Sequence, residues 1–127
     1  MKRLFILFSL FMGLALSQPV WAYKEVDLEK LLKTNSCPGC DLSGAVLNRA
    51  NLEGANLHRA HLSNANLLTA NLSNANLLKA NLTYARLTHT NLSRANLFGA
   101  NLREANVKGA TFCNTTMPDG AINNSGC

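Results

Sequence analysis

The pair of cysteines at 37 and 40 is the part of the sequence whose residue types and spacing could most directly do chemistry. They form the motif CPGC, a spacing shared by thiol–disulfide catalysts, c-type haem attachment sites and zinc sites. A haem site needs His directly after the second cysteine, where Asp41 stands, and a zinc site needs two further ligands nearby. A redox motif normally precedes a helix within a βαβ unit, which the sequence does not predict. A thiol/disulfide redox role of Cys37 and Cys40 stays open as an alternative function.

Two histidines are the second chemical candidate. His58 and His61 are close in sequence, but they lack a third ligand in obvious reach, and a metal site needs three or four. The chain also shows no nucleophile–base pair, carboxylate dyad or phosphate-binding loop. The sequence therefore predicts a non-enzymatic protein without a cofactor or a metal site.

The N-terminal segment indicates the compartment. Lys2 and Arg3 precede an apolar run at 4–16, and small residues precede Tyr23, which is the pattern of a signal peptide over 1–22 cleaved after Ala22. The apolar run is shorter than the roughly 20 residues of a spanning helix, so no stable membrane insertion is expected after cleavage. We predict an exported protein, periplasmic or secreted, in an oxidising compartment where disulfides are the default.

A five-residue period runs through the rest of the chain. Every fifth position from 42 to 102 is Leu, and Val107, Phe112, Met117 and Ile122 continue the column with other apolar residues. The column two places earlier, 45 through 110, is Ala except at Thr90, and Asn often stands between the two. This period scatters leucines around a helix and over both faces of a long strand. It buries one face only if short extended segments alternate with corners, as in a solenoid.

The repeat carries a resemblance to a known family. The stretch ANLSNANLLKANLTYARLTHTNLSRANLFGANLREANV resembles the pentapeptide-repeat family over about residues 40–122. The resemblance implies an all-β fold, a right-handed quadrilateral β-helix of about four coils with Leu and Ala in a narrow core. We expect a signal peptide at 1–22, a helix and CxxC segment at 23–40, the β-helix at 41–122, and a C-terminal cap at 111–127 that overlaps the last repeats.

The two ends are expected to close the solenoid. Residues 23–36 have Leu at the i, i+3, i+4 spacing of a short capping helix, with Asp27 as its N-cap. In the implied architecture, Cys113 lies roughly 17 Å along the axis from the CPGC pair, whereas bridged Cα atoms lie within about 7 Å. The expected disulfides are therefore Cys37–Cys40 and Cys113–Cys127.

One side of the implied coil carries a candidate partner-binding face. Four repeats per coil place residues 20 apart in one line, so His58, Leu78 and Phe98 stack, with Arg59 and Lys79 beside them. Outward apolar residues beside cations are typical of protein contacts, although scattered apolar surface residues are also ordinary. We predict an unidentified protein as the partner. The sequence leaves open whether two copies also form a homodimer by end-to-end stacking.

Charge argues against nucleic acid and its mimics. Without residues 1–22 the chain has 10 basic and 7 acidic residues, a net charge of +3, which is too mild for a nucleic-acid-binding protein. Some pentapeptide-repeat proteins protect DNA gyrase by mimicking DNA. Four coils spaced about 4.8 Å apart rise about 19 Å, and a DNA mimic of that length needs about 11 acidic groups. Residues 41–122 have only four, against seven Lys and Arg, so gyrase protection is the least favoured function.

Overall fold

Regular elements are few in this protein. The computed structural model describes residues 23–127, and the predicted signal peptide at 1–22 lies outside them. Helix α1 spans Glu25–Thr34, and two short strands, β1 at Thr115–Thr116 and β2 at Ile122–Asn123, form an antiparallel hairpin. No helix within 23–127 has the length and apolar character needed to cross a membrane.

The body of the molecule is a ladder of parallel pairings. Thirteen of them, from Ser36↔Asn56 to Asn96↔Thr116, each join residues 20 apart, so four repeats complete one turn of the solenoid. We name its sides by their central residues. Side A has 42, 62, 82 and 102; side B has 47, 67, 87 and 107; side C has 52, 72, 92 and 112; side D has 57, 77, 97 and 117.

One repeat shows why five residues make a side. In residues 75–79 the chain is extended at Asn76 and turns after Leu77, whose C=O accepts the N–H of Ala80 at 3.0 Å. Lys79 has φ +57°, so the corner is a type II turn, which requires a positive φ at its third residue. Leu77 N–H donates to Asn96 C=O of the next turn at 2.8 Å, and Asn76 N–H to Ala55 C=O of the previous one at 2.9 Å. Backbone hydrogen bonds thus run between turns, and each side is extended only long enough to pair once.

The core is a narrow stack of Leu and Ala. The central leucines from 42 to 97 are at most 2% exposed, and alanines pack between them. Each buried leucine is worth about 1.5–3 kcal/mol relative to exposure. Thr90, which interrupts the Ala column, is completely buried, and its hydroxyl donates to Leu67 C=O at 2.7 Å. The interruption is therefore satisfied inside the core.

Helix α1 lies against the first turn, but it starts differently from the sequence prediction. Lys24 occupies the N-cap position without a side-chain cap bond, so the prediction of Asp27 as the N-cap is wrong. Asp27 Oδ2 instead accepts the N–H of Asp41 at 2.8 Å, while Lys24 N–H donates to Asp41 C=O at 3.0 Å. The carboxylate is used to join the helix to the ladder. Leu31, on the same helix, is completely buried.

The C-terminal segment departs from the repeat earlier than the apolar column suggested. Ile122 does not continue the column: it lies in β2, opposite Thr116, and is 53% exposed. The reason is the turn at 117–120, where Gly120 has φ +90° and Asp119 Oδ1 accepts the N–H of Ala121 at 3.0 Å. This turn reverses the chain, so that residues 121–127 run back over 112–117.

Candidate interaction surface

The structure brings the five predicted partner-binding residues together on side D. Arg59 N–H donates to Leu78 C=O at 2.9 Å, and Lys79 N–H donates to Phe98 C=O at the same distance. His58, Leu78 and Phe98 therefore occupy one line across three turns. His58 and Leu78 are half-buried, Phe98 is 47% exposed, and the two cations are exposed. Side D thus presents an apolar line beside a line of positive charge.

Asparagine side chains fix the backbone beneath this line, which the sequence prediction missed. The Asn before each central leucine accepts, through Oδ1, the N–H two residues on: Asn56 from His58 at 3.3 Å, Asn76 from Leu78 at 3.1 Å and Asn96 from Phe98 at 3.0 Å. This is the Asx-turn pattern. Each Asn side chain satisfies a backbone N–H that points away from the ladder. The regular recurrence of Asn before the central leucine was the sequence pattern from which these turns could have been predicted.

Two neighbours change how open the surface is. A Cβ at Gly120 would stand 3.4 Å from the Phe98 ring, so the C-terminal turn borders one edge of that ring. A Cβ at Gly99 would stand 3.1 Å from Lys79 Cγ, which places the aliphatic stem of Lys79 across the next turn. The accessible apolar area is therefore narrower than the sequence suggests, and it is bounded by the C-terminal turn above and the Lys79 stem at its side.

The charge of side D is positive over three turns, and Asp119, which follows Pro118 in the turn above Phe98, is its only acidic residue within 23–127. Its outward positions at 56–59, 76–79 and 96–99 include His58, Arg59 and Lys79 but no Asp or Glu. The one ion pair recorded between residues 23 and 127 joins Lys33 to Glu29 on helix α1, at 2.9 Å. The positive charges of Arg59 and Lys79 are therefore not neutralised by a recorded ion pair and can act on a partner.

The four cysteines form the two disulfides that were predicted. Cys37 is bonded to Cys40 and Cys113 to Cys127. Cys37 and Cys40 occupy the central and the Ala positions of the first repeat, and they are 0% and 7% exposed. The disulfide therefore spans a corner of the solenoid from inside, where Leu and Ala stand in other repeats.

The histidines do not gather other ligands. His61 lies at the outward position of side A and pairs with Asp41 and Asn81, whereas His58 lies on side D. In the part of the chain from 23 to 127, no group of three or more His, Cys, Asp and Glu is placed to hold a metal ion. The absence of a metal or cofactor from the function stays a prediction.

Comparison with protein families agrees with the repeat. The model for pentapeptide repeats matches in eight copies, over residues 40–77 and 80–117. These ranges cover more than half of the chain. No curated protein matches it.

Several solved structures are similar to this chain. The pentapeptide repeat protein HetL from the cyanobacterium Nostoc sp. strain PCC 7120, involved in heterocyst differentiation regulation, is 40% identical, with 64% of this chain and 40% of HetL covered and a TM-score of 0.42. The chain thus spans less than half of HetL. Rfr23 from the cyanobacterium Cyanothece 51142 is 30% identical, with 72% and 97% covered and a TM-score of 0.36. A pentapeptide repeat protein from the Arabidopsis thaliana thylakoid lumen is 27% identical, with 70% of each chain covered and a TM-score of 0.31. On the family match over its repeats, the chain belongs to the pentapeptide-repeat family, whose fold is a right-handed β-helix solenoid.

Proposed function

We propose that this protein is an exported, non-enzymatic scaffold that binds a protein partner through side D. Pentapeptide-repeat proteins are generally structural or binding modules. The observation that carries the proposal is the line of Leu78 and Phe98, which is apolar, outward-facing and held by backbone hydrogen bonds between turns. A rigid apolar line costs little conformational entropy on binding, because its backbone is already ordered.

The chemistry of side D indicates what the partner offers. Phe98 and Leu78 fit a shallow apolar pocket, and exposed aromatic residues are frequent anchors of protein interfaces. Arg59 and Lys79 flank them with positive charge, so the rim of that pocket is expected to be acidic. Because the cations are exposed, they contribute mainly to association rate and orientation, and the apolar pair contributes most of the affinity.

The finer architecture belongs to the same proposal. We infer about four coils, with 23–40 as the N-terminal cap, whose last five residues already join the ladder, and 111–127 as the C-terminal cap. The β-helix begins at 41 and ends at the turn at 117–120 instead of at 122, because Ile122 lies in the reversed strand β2. Burial of Leu31 under the first turn supports a capping role for α1. The two disulfides support export to an oxidising compartment, either the periplasm or the medium, because cytosolic proteins rarely keep them.

The two alternatives have weaker support. A redox role of the CPGC pair requires an accessible sulfur for thiolate attack, and Cys37 is completely buried. Gyrase protection by DNA mimicry requires rows of acidic groups, and side D has basic groups instead. We therefore propose that the CPGC disulfide is structural and that side D binds a protein.

Crosslinking to cell-envelope proteins, with two double variants compared with wild type, tests the assignment of side D as the binding side. The test variant carries Leu78→Glu and Phe98→Glu on side D. The matched control carries Leu68→Glu and Tyr84→Glu, where Leu68 has the same position within its repeat on the opposite side B and Tyr84 is 56% exposed on side A. All proteins must show the same circular dichroism and melting temperature before chemical crosslinking and pull-down.

A protein partner that is crosslinked to wild type and to the control, and lost from the side D variant, is the expected result. Recovery of the same partner with all three proteins would contradict the assignment of side D. Loss of the partner from both variants would show that binding does not depend on this side in particular.

A further inference from the structure

The C-terminal end of the solenoid is a step rather than a flat surface. We call residues 121–127 the tail. Strand β2 pairs with β1 on side D, and Gly126 N–H donates to Phe112 C=O at 2.7 Å on side C. β1 already pairs with the turn below through Thr116 and Asn96, so the tail lies on its upper edge. The tail therefore adds one layer above sides C and D.

Sides A and B have no such layer in the described chain. We call residues 101–110 the open half. Within residues 23–127, the backbone N–H groups at 102, 104, 107 and 109 have no recorded hydrogen-bond acceptor, although equivalent groups elsewhere in the ladder donate to the next turn. Leu102 is only half-buried and Val107 is 37% exposed. The open half is thus an unpaired sheet edge with core side chains at its margin, which favours pairing with another strand.

The opposite end is closed in a different way. The central leucines of the first turn, at 42, 47 and 52, are at most 2% exposed. Helix α1 is bonded to side A through Asp41, and Asn35 accepts the N–H of Asn56 and donates its Nδ2–H to Glu53 C=O at 2.7 Å. Because helix α1 occupies side A at this end, the open half of one copy cannot pair with the base of another along both of its sides. Pairing along both sides of the open half therefore joins two tops.

We propose that two copies of this chain interlock through these steps to form a two-fold symmetric dimer. A two-fold axis that runs perpendicular to the solenoid, from the A–D corner to the B–C corner, exchanges side A with D and side B with C. It places the tail of each copy on the open half of the other. In this arrangement the tail of the second copy runs over side A and then side B, parallel to the strands there, and so takes the place of the missing layer.

Side chains at the two halves are complementary. Ile122, on the side D part of the tail, is 53% exposed and would meet Leu102 on side A of the other copy, while the part of the tail near Gly126 would lie over Val107 on side B. The open half carries Arg103, Glu104 and Lys108, a net charge of +1, and the tail carries no charged side chain, so the contact opposes no like charges. The same surface serves both copies, so this contact closes at the dimer and does not extend into a filament.

The oligomeric state of the exported, disulfide-bonded protein tests the proposal. Sedimentation velocity at loading concentrations from about 1 to about 200 µM is expected to show a monomer–dimer equilibrium for wild type. Ile122→Lys on the tail and Val107→Lys on the open half should each weaken the dimer about tenfold or more. Val46→Lys is the matched control, because Val46 is 65% exposed on side B at the opposite end of the solenoid, and it should leave the dissociation constant unchanged.

Three results would overturn it: a monomer at every concentration, a dimer that both variants leave intact, or species that grow beyond two with concentration. If Val107→Lys reduces folding, as judged by circular dichroism, Ile122→Lys still decides, because its side chain is more than half exposed in the monomer. The dimer is independent of partner binding by side D, so each proposal can fail without the other.

Discussion

Thr90 is the position where the structure and the repeat pattern make opposite predictions about stability. It interrupts a column of alanines, so replacement by the commonest residue of the repeat is expected to stabilise the protein on consensus reasoning. In the structure, Thr90 is completely buried and its Oγ1 donates to Leu67 C=O at 2.7 Å. Thr115, in the next turn, makes the same bond to Leu92 C=O at 2.8 Å. We therefore expect Thr90→Ala to destabilise.

The magnitude follows from two groups that the substitution removes. The methyl group is worth about 0.8 kcal/mol, with a further contribution from the cavity that it leaves. The hydrogen bond is worth about 1 kcal/mol, because Leu67 C=O keeps the N–H of Ala70 at 3.0 Å and is not left without a donor. Thr90→Ala should lower the free energy of unfolding by about 2 kcal/mol. Thr90→Val and Thr90→Ser, which each remove one of the two groups, should lower it by about 1 kcal/mol.

Urea denaturation followed by circular dichroism and by a second probe measures these differences and checks that unfolding is two-state. A thermal melt should show a decrease of about 10 °C for Thr90→Ala, given about 4–8 °C per kcal/mol for a domain of this size. If Thr90→Ala were as stable as wild type or more so, the buried hydrogen bond would have no net value and the consensus reasoning would be correct.

Three further changes test the turns and the disulfides. Asn76→Ala removes the acceptor of an Asx turn and should cost about 1 kcal/mol of unfolding free energy in urea denaturation, while Asn48→Ala, at an exposed turn position, should change it by less than about 0.5 kcal/mol. Thr69→Asn should raise the melting temperature by a few degrees, because Thr69 has φ +56°, which Asn tolerates better than a β-branched residue; a lower melting temperature would contradict this. Mild reductant should open Cys113–Cys127 before the pair at Cys37, because Cys127 is exposed and Cys37 is completely buried, as mass spectrometry of alkylated protein would show.

The repeating part of the fold could be predicted from the sequence because every turn obeys the same constraint. A side of five residues needs an inward pair two apart, and Ala and Leu supply it from 45 to 102 without exception other than Thr90. The two ends of the solenoid could not be predicted in the same way, because the structure of each end occurs once and follows no repeated pattern. Asp27 has the residue type of an N-cap, but the amide of Asp41 competes for its carboxylate, and this competition depends on tertiary contact.

Ile122 shows the same limit at the other end. It keeps the five-residue phase, and phase alone predicts that it is buried. The reversal at 117–120 and the bond from Cys113 to Cys127 return the chain over side C and expose Ile122 on the tail. The candidate surface was similarly predicted in its residues but not in its boundary, because the contact of Phe98 with the turn at Gly120 joins a regular column to an irregular segment.

The separation between core and surface explains where function can vary in this fold. In the regular repeats from 45 to 102, inward positions are restricted to Ala, Leu and one Thr, and the outward Asn is fixed by its bond to the backbone. The two corner residues of each repeat remain: the first is held by Asn, and the second has a positive φ that Gly adopts without strain. Arg59 and Lys79 occupy that second position at φ +58° and +57°, although Gly39 and Gly99 occupy it elsewhere on side D.

A charged residue at this second corner position costs about 1 kcal/mol relative to an unstrained conformation. Arg59→Gly with Lys79→Gly should therefore leave stability unchanged or raise it while weakening partner binding. A loss of both together would instead assign these cations a role in folding.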